Sequence, residues 1–289
     1  MFVLIGLVIV LGCVFGAFAA SGGGIGPLFS SMPFELLTIV GAAIGTFLMA
    51  NPISVVKHAV HDVKKAMKGS RYTRDDYVQL LGVLFHLCKI ASARGMVAVE
   101  SHIEEPQGSH IFKAHERVLQ HEDACVFVCD YLRMAGMNAI DPYQMDDVMG
   151  GELKKRTHED LHIVHALQSM ADALPALGIV AAVLGVIKTM AAISKPPIVL
   201  GEMIAGALVG TFLGILLAYG MVAPLAGRLK GIVEDEGAYL NVVRAMIVAH
   251  QQGNAPQVSV EIARKSIPTN IMPSFKDVED AVSQPLHAA

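Results

Sequence analysis

The sequence predicts an all-α, polytopic membrane protein with four transmembrane helices and a helical cytoplasmic insert. The chain has 289 residues, of which 53% are hydrophobic and only 17% are charged. Its apolar residues concentrate in four blocks, each close to the roughly 20 residues that cross a bilayer core as a helix. The segments between the blocks show little alternation of period two, so they are predicted to be helical as well.

The four apolar blocks carry almost no charge. The first block, 1–20, has none, and the second, 33–51, has only Glu35, at its edge. The third runs over 173–193 and the fourth over 204–226. Because backbone groups in lipid must be paired within the segment, each block is predicted to be a helix.

The first block could instead be a cleaved signal peptide, because Ala17-Phe18-Ala19 resembles a cleavage site. However, no Lys or Arg precedes its apolar run, and the rest of the chain also contains membrane-like blocks. Both observations favour a first helix that stays in the membrane.

The basic residues predict the orientation of the chain. The loop 21–32 carries no charge, whereas basic residues follow the second and the fourth block. They are Lys57, Lys64, Lys65, Lys68, Arg71 and Arg74 after the second block, and Arg228, Lys230 and Arg244 after the fourth. Since basic loops stay in the cytoplasm, both termini and the middle segment are predicted to be cytoplasmic. Only the loops 21–32 and 194–203 would face the other side.

The predicted organisation has four parts. Residues 1–53 hold the first two membrane helices, and 54–170 form a cytoplasmic helical domain. The second helix pair occupies 171–226, and a cytoplasmic C-terminal helix and tail occupy 227–289.

Two of these parts have local features of their own. The segment 54–68 alternates apolar and basic residues at helical spacing, so it is predicted to lie along the inner membrane surface against anionic lipid headgroups. The tail is rich in proline and is predicted to be irregular; its prolines are Pro256, Pro268, Pro273 and Pro285.

Composition and motifs make several function classes unlikely for this chain. The net charge of −4 does not suggest a nucleic-acid-binding protein. Signatures of dinucleotide binding, of P-loop nucleotide hydrolysis, of serine hydrolases and of zinc proteases are absent from the sequence. We therefore expect neither an enzyme nor a bound cofactor or metal.

Cysteines and histidines leave one metal or redox alternative open. Cys125 and Cys129 are spaced i and i+4 on a predicted helix, and three histidines, His158, His162 and His165, share one helical face. Such spacing can hold a metal. The apolar residues around the thiols favour core packing, and the charged residues around the histidines favour a solvated face.

Small residues form a continuous face on the third block. Pro175, Gly178, Ala182, Gly185 and Thr189 recur at steps of three and four, and the fourth block repeats glycine every four residues. Small faces let membrane helices approach closely. The face could pack within this chain or could receive the helix of another protein, and the packing pattern alone leaves both possibilities open.

Acidic residues are missing from the interior of the predicted spans. Asp172 lies at the cytoplasmic entrance of the third block and Glu202 at the outer entrance of the fourth. Lys188 is near enough to the outer interface for its side chain to reach it. Because carboxylates within the membrane usually relay protons, a partner would have to supply the titrating group if this protein moves ions.

Prolines sit at matching depths of two blocks. Pro175 and Pro224 each lie at the cytoplasmic end of a predicted span. A proline removes one helical hydrogen bond and bends the axis, so the pair could form a hinge. Each could also simply mark the end of its span.

Several long motifs carry a family resemblance. They are LIGLVIVLGCVFGAF, ADALPALGIVAAVLGVI, VGTFLGILLAYGMVAPLA (209–226) and the late ARKSIP…PSF. Together they resemble the MotA family of proton-conducting stator subunits of the bacterial flagellar motor. The resemblance covers nearly the whole chain and keeps the order of spans and loops.

The resemblance implies an assembly in the bacterial inner membrane. MotA-like chains form a ring, a pentamer, around two copies of MotB, a single-span, peptidoglycan-anchored subunit. The helix of that partner supplies the aspartate that carries the proton. Ion flow turns the ring, and the cytoplasmic insert drives the rotor protein FliG.

The resemblance also assigns roles to residues of this chain. It places the conserved prolines at Pro175 and Pro224, a hydroxyl of the ion path at Thr211, and an acid of the cytoplasmic channel mouth at Asp172. With these, Gly178, Ala182 and Gly185 would line the ion pathway and the interface with the partner helix. Sodium-driven members carry threonine where this chain has Ala182, so the expected ion is H⁺.

The rotor-contacting patch departs from the family pattern. The acidic position falls on Glu100, but the basic position falls on Ser92. Arg94 and Lys89 lie within one turn of Ser92 and could substitute for it. We therefore expect Lys89, Arg94 and Glu100 to contact the rotor.

Two other functions remain as alternatives. An ExbB/TolQ-type energiser of outer-membrane processes uses the same ion physics, but those chains usually have three spans. A membrane-anchored metal- or redox-sensing scaffold would use Cys125, Cys129 and the three histidines.

Overall fold

A computed structural model of the chain describes residues 2–69, 72–137 and 140–283. Within these ranges every regular element is a helix, and four helices are long and apolar enough to cross a membrane. The predicted all-α class, with four membrane helices and a long helical insert, is therefore confirmed.

The helices follow one another in a simple order. The first three are α1 (Phe2–Ala20), α2 (Ile25–Ala50) and α3 (Ile53–Lys68). The insert contains α4 (Arg74–Arg94), α5 (Val97–Glu104), α6 (His110–Lys113), α7 (Glu116–Gln120) and α8 (Glu122–Gly136). Then come α9 (Pro142–Ala191), α10 (Pro197–Leu217), a π-helical segment (Ala218–Val222) and α11 (Ala223–Gln251). The last two helices are α12 (Pro256–Lys265) and α13 (Phe275–Ser283).

The chain divides into two compact units. The membrane unit comprises Met1–Gly69 and Glu159–Ile232, and the insert unit comprises Ser70–His158 and Val233–Ala289. All four apolar blocks of the sequence fall in the membrane unit. The four-part division at 53, 170 and 226 stays a prediction.

The outer loops are shorter than predicted. Helix α2 already begins at Ile25 and α10 at Pro197, so only short connections remain where 21–32 and 194–203 were expected to be loops. Pro33 lies inside α2. A proline in a membrane helix removes one backbone hydrogen bond, but the helix continues because neighbouring groups can satisfy the freed carbonyl.

Helix α9 corrects the expectation that the end of the insert and the third span are separate helices. It runs without interruption for 50 residues, with Pro175 inside it. Pro175 lacks only the N–H that would pair with the carbonyl of Ala171. Its neighbour Leu174 is buried in the membrane unit, so packing supports the helix where that hydrogen bond is missing.

The fourth span also continues beyond its predicted end at residue 226. Helix α10 passes through the π-helical segment into α11, which ends at Gln251. Pro224 has no N–H for the carbonyl of Gly220, which belongs to that π turn. A π turn is one of the usual ways in which a helix accommodates such an interruption.

The prediction that the tail is irregular was wrong. Proline at the start of a helix is favourable because its φ angle suits the first turn, and Pro256 begins α12 in this way. Val260 and Ala263 of α12 and Val278 of α13 are buried in the core of the insert unit. Pro285 lies outside the described residues.

Three helices form the core of the membrane unit. Its buried apolar residues are Ile39 and Ala43 of α2, Leu174 and Ala181 of α9, and Val209 and Leu213 of α10, with Ala218 of the π segment. Helix α1 has no buried residue. It touches the core at its side, where the ring centroids of Phe15 and Phe212 are 5.9 Å apart.

Helix α3 confirms the helix predicted over 54–68. Ala59 and Ala66 are buried on one face, where they pack with Leu167 of α9 and Leu229 of α11. Lys57 is exposed on the opposite side. The amphipathic pattern thus reflects packing on the protein, and its position on a membrane surface stays a prediction.

The insert unit is built around α4. Every residue from Leu80 to Cys88 is buried. Its Tyr77 is fully buried, as are the large side chains of Phe112, Phe127, Met145 and Tyr239 in the rest of this unit.

Hydrogen bonds to the buried carboxylate of Asp76 stabilise the start of α4. The backbone N–H of Thr73 donates to Oδ2 of Asp76 at 2.6 Å, a reciprocal cap at the first turn. Nη1 of Arg117 donates to Oδ1 of Asp76 at 3.3 Å, and Nε2 of His121 lies 3.4 Å from the same oxygen. Burial raises the pKa of Asp76, but these hydrogen bonds outweigh it and hold the pKa below its ordinary value.

We predict that Asp76→Asn destabilises the insert unit by about 2 kcal/mol, because charge-assisted bonds to a buried carboxylate are lost. A thiol-reactive dye measures unfolding of the insert unit, because its cysteines Cys88, Cys125 and Cys129 are buried in the folded state and react only when the unit unfolds. The exposed Cys13 is replaced by serine in every variant. Because the folded pKa lies below the unfolded one, the contribution of Asp76 is present at neutral pH and is lost as pH falls below about 4.

The matched control is Asp75→Asn. Asp75 is exposed and lies 3.7 Å from Arg117, so its loss should barely change the unfolding midpoint. Equal destabilisation by the two substitutions would contradict this role of Asp76.

Candidate functional site

The small-residue face of α9 lies directly against α10 of the same chain. A Cβ atom added to Gly178 would lie 2.8 Å from the carbonyl oxygen of Gly210 and 3.1 Å from Cα of Gly214. One added to Gly214 would lie 2.7 Å from the carbonyl oxygen of Leu174. The neighbouring atoms are backbone, so no side-chain rotation could relieve the clash. Glycine is therefore required here by contact between helix backbones.

The contact continues about two helical turns further along α9. A Cβ on Gly185 would lie 2.5 Å from Cβ of Ala207, so this position also admits only glycine without a shift. The Thr189 hydroxyl donates to the carbonyl of Gly185 at 2.9 Å and is buried. Its polar group is satisfied within its own helix.

These contacts place Gly178, Ala182, Gly185 and Thr211 along the same α9–α10 contact, since a Cβ on Gly210 would lie 3.2 Å from the Ala182 nitrogen and one on Gly178 would lie 3.3 Å from Cα of Thr211. Gly178 and Gly185 pack against α10, which is the arrangement expected from packing within one chain. Ala182, Pro175 and Thr211 are only half buried and remain partly accessible in the single chain. The structure thus brings the five together along the junction of α9 and α10, where Gly178 is buried and the other four stay partly accessible.

Glu35 is a residue whose position the sequence reasoning misjudged. Because α2 begins at Ile25, Glu35 lies well inside this membrane-length helix and not at its edge. Its Oε2 would be 2.8 Å from a Cβ on Gly210, and Oγ of Ser31 would be 2.6 Å from one on Gly206. The signal that could have revealed this is the i, i+4 spacing of Ser31 and Glu35 opposite the glycine repeat of α10.

The residues predicted at the cytoplasmic side occupy separate positions. Asp172 is exposed on α9, and Nε2 of Gln168 donates to its Oδ1 at 2.9 Å. Pro224 is exposed immediately after the π-helical segment. Both predicted hinge prolines therefore interrupt the hydrogen bonding of a continuous helix, and neither marks a helix end.

The predicted rotor residues lie together in the insert unit. Lys89 and Arg94 are exposed on the last turns of α4, and Glu100 is exposed on the first turn of α5. Gly95 separates the helices with a φ of 79°, a conformation that favours glycine. This turn places basic and acidic side chains close together along a short stretch of chain.

The cysteine and histidine alternative finds little support. Cys125 and Cys129 are buried within α8 and share a hydrogen bond, which lowers the pKa of the Cys125 thiol and, together with burial, raises the pKa of the Cys129 thiol far above its usual value. A thiol is a poor ligand or nucleophile in its protonated form. In the described parts of the chain, no three His, Cys, Asp or Glu side chains are arranged to hold a metal ion.

Family models match most of the chain. The Motility protein A N-terminal model matches residues 4–95, and the MotA/TolQ/ExbB proton channel family model matches residues 113–241. Motility protein A of Escherichia coli strain K12 is 35% identical over 282 residues, which cover 98% of this chain and 95% of that protein. The chain belongs to the motility protein A family.

Solved structures show the same fold. The chain matches the structure of MotAB from C. jejuni with a TM-score of 0.76 and 18% identity, over 94% of this chain and 98% of that one. It matches the flagellar MotAB stator complex from Bacillus subtilis with a TM-score of 0.75 and 21% identity, over the same shares.

We predict that Gly178→Ala destabilises the membrane unit by about 1–3 kcal/mol, because the new methyl group meets the backbone of α10. The measurement is the melting temperature of the detergent-solubilised chain, taken from the loss of the monodisperse peak on size-exclusion chromatography after heating.

The control for this prediction is Gly201→Ala on α10, where an added Cβ has no atom within 4 Å. This variant should melt like the wild-type chain. Wild-type stability of Gly178→Ala would show that α9 and α10 do not pack as described.

Proposed function

We propose that this motility protein A family chain is the ion-conducting, torque-transmitting stator subunit of a flagellar motor. Similarity to the Escherichia coli protein across 98% of the chain is the observation that carries the proposal. The solved relatives are MotAB assemblies, which supports a MotB-like, peptidoglycan-anchored partner with a single span. The match at full length and the four membrane helices favour this function over an ExbB/TolQ-type energiser.

The ion pathway would run along the accessible side of the α9–α10 junction. Ala182, Pro175 and Thr211 line this side, while Gly178 and Gly185 hold α9 close to α10 behind it. The partner helix would bring an aspartate to the same surface. Protonation removes its charge, which lowers the cost of holding it in the membrane and changes how its helix packs.

Assembly into a ring follows from the surfaces left uncovered. Helix α1 buries none of its side chains within the chain, and Phe2 and Leu37 are about three-quarters exposed, at 75% and 74%. We propose that lipid and neighbouring copies cover these surfaces in a homo-oligomeric ring, a pentamer, in the inner membrane. Both termini and the insert unit would be cytoplasmic, as the basic residues indicate.

Motion would pass from the membrane to the insert through α9 and α11. Both helices belong in part to each unit, and each has a proline near its membrane section. Pro175 and Pro224 lower the cost of bending because a backbone hydrogen bond is already missing there. Asp172, three residues before Pro175, would collect or release protons at the cytoplasmic mouth.

The rotor contact would use the turn between α4 and α5. Lys89, Arg94 and Glu100 offer charges of both signs to the charged surface of FliG. Exposed charges of this kind guide the encounter and fix its register more than they determine affinity.

We predict that the motor is driven by H⁺ and not by Na⁺. Ala182 has no hydroxyl to coordinate a dehydrating sodium ion, so replacing sodium by potassium at constant pH should leave swimming speed unchanged. A protonophore should stop swimming under both conditions. A collapse of swimming on sodium removal alone would contradict the proposed ion.

We predict that Arg94→Glu and Glu100→Lys each reduce swim-ring expansion at least about twofold, because reversed charges repel the rotor surface. Membrane abundance of the variants should stay at the wild-type level. Lys113→Glu, an exposed change elsewhere in the insert unit, serves as the control and should swim normally. Normal motility of Arg94→Glu would remove Arg94 from the interface.

A further inference from the structure

The insert unit contains a large cavity that the stator function leaves unexplained. Its volume is about 950 Å³, near the upper end of what small-molecule sites enclose. The walls come from the second half of α4, from α5 and α6, and from α12 and α13. All of these elements belong to the insert unit.

His86 gives this cavity a buried polar group without a partner. It lies on α4 with 7% of its side chain exposed, and it lines the cavity. Its Nε2 atom is buried and has no hydrogen-bond partner in the described chain. Leaving such a group unpaired costs free energy, so a small rotation that brings Nε2 to the cavity surface would let a bound ligand satisfy it.

Further imidazoles surround His86. The rings of His86 and His115 are 5.8 Å apart, and Gly82 leaves the room that the His115 ring needs, since a Cβ there would be 2.2 Å from its Nε2. The rings of His102 and His110, which both line the cavity, are 5.0 Å apart. His102 and His110 thus bring imidazole groups to the cavity wall, and His115 packs beside His86 without lining it.

His86, His102 and His115 are neutral at physiological pH. Burial, with the nearby His115, Lys89 and His110, lowers the pKa of His86 to about 4. Burial also lowers the pKa of His115 and of His102. The site can therefore donate hydrogen bonds from imidazoles without repelling a cation, and its positive charge must come from other residues.

Lys89 and Arg94 supply that positive charge. Both line the cavity from α4 and both are exposed. The acids at the wall are Glu261 and Glu279. Glu261 is bound by Arg264, whose Nη2 lies 2.9 Å from its Oε2, which leaves Glu279 as the acid that opposes an incoming anion.

Apolar groups line the remaining wall. Phe85 of α4 and Val260 of α12 face the cavity together with Phe275 and Val278 of α13. Phe275 is 57% exposed, which is unusual for an aromatic side chain with an apolar cavity beside it. The site thus combines aromatic surface with cations and N–H donors.

We propose that this cavity binds a small anionic ligand with an aromatic or other flat apolar body. The anionic group would lie between Lys89, Arg94 and the imidazole N–H groups, and the apolar body would lie against Phe85, Phe275 and Val260. A small ligand fits better than an acidic helix of a protein, because His86 is too deeply buried for a helix surface to reach.

One consequence of the site rests on the proposed stator function. Lys89 and Arg94 are also the cations expected to meet the rotor, so a bound anion would occupy the charges that the rotor needs. The ligand would then weaken the coupling of stator to rotor without altering the membrane unit.

The test measures binding of 1-naphthyl phosphate to the full chain with its partner in nanodiscs, by saturation-transfer NMR. We expect saturable binding with a Kd on the order of 1 mM for a ligand of this size. Inorganic phosphate should bind at least about tenfold more weakly, because it lacks the apolar body. Lys89→Gln combined with Arg94→Gln should weaken binding about 5- to 30-fold.

Controls separate a specific site from partition into lipid and from misfolding. Lys113→Gln, an exposed change outside the cavity, should bind like the wild type. Glu279→Gln should tighten binding about two- to fivefold, because it removes the opposing charge, and a misfolded variant could not produce this gain.

Three outcomes would overturn the proposal. They are no saturable binding to the wild-type complex up to about 10 mM, equal binding of inorganic phosphate, and unchanged binding to the double variant. Binding that persists at full strength when a FliG fragment saturates the complex would refute only the competition with the rotor. Since naphthyl phosphate binding is measured without a motor, its failure would leave the stator proposal untouched.

Discussion

The structure of the membrane unit depends on one interaction, the backbone contact between α9 and α10 at Gly178, Gly210 and Gly214. Lipid tails are as apolar as leucine, so the hydrophobic effect gives these helices no reason to associate. Dispersion attraction between the two backbones, which no side chain separates, holds the helices together. The apolar core that includes Leu174 and Leu213 adds to this attraction. The residues proposed to line the ion pathway lie at this contact.

Close packing of α9 on α10 leaves the edge of their contact accessible. With Gly178 and Gly185 pressed against α10, Ala182 and Thr211 keep part of their surface open at the edge of the junction. Glu35 of α2 reaches the same place, because a Cβ on Gly210 would lie 2.8 Å from its Oε2 and 3.0 Å from Cβ of Ala181 on α9. In the proposed pathway, a partner aspartate would therefore meet the methyl group of Ala182 and the hydroxyl of Thr211, with the Glu35 carboxylate beside them.

Hydropathy and small-residue spacing predicted much of this from the sequence, because lipid imposes helices and the steps of three and four impose faces. What they could not predict was where helices end. Pro33, Pro175 and Pro224 suggested breaks, but in long helices supported by packing a missing hydrogen bond is tolerated. For the same reason Glu35 was placed at an edge. The C-terminal helices were missed because proline was taken as a sign of irregular structure, whereas Pro256 occupies the first position of a helix, where proline is favourable.

The reactivity of cysteines placed at positions 181 and 182 tests the central claim that the ion path runs along the accessible edge of the α9–α10 contact. In the assembled stator with Cys13 replaced, Ala182→Cys should react with a small water-soluble thiosulfonate and lose motor speed as it does so. Ala181→Cys, buried against α10 with 2% exposure, should stay unmodified and keep its speed. Protection of position 182, or modification there without any change in speed, would contradict the account.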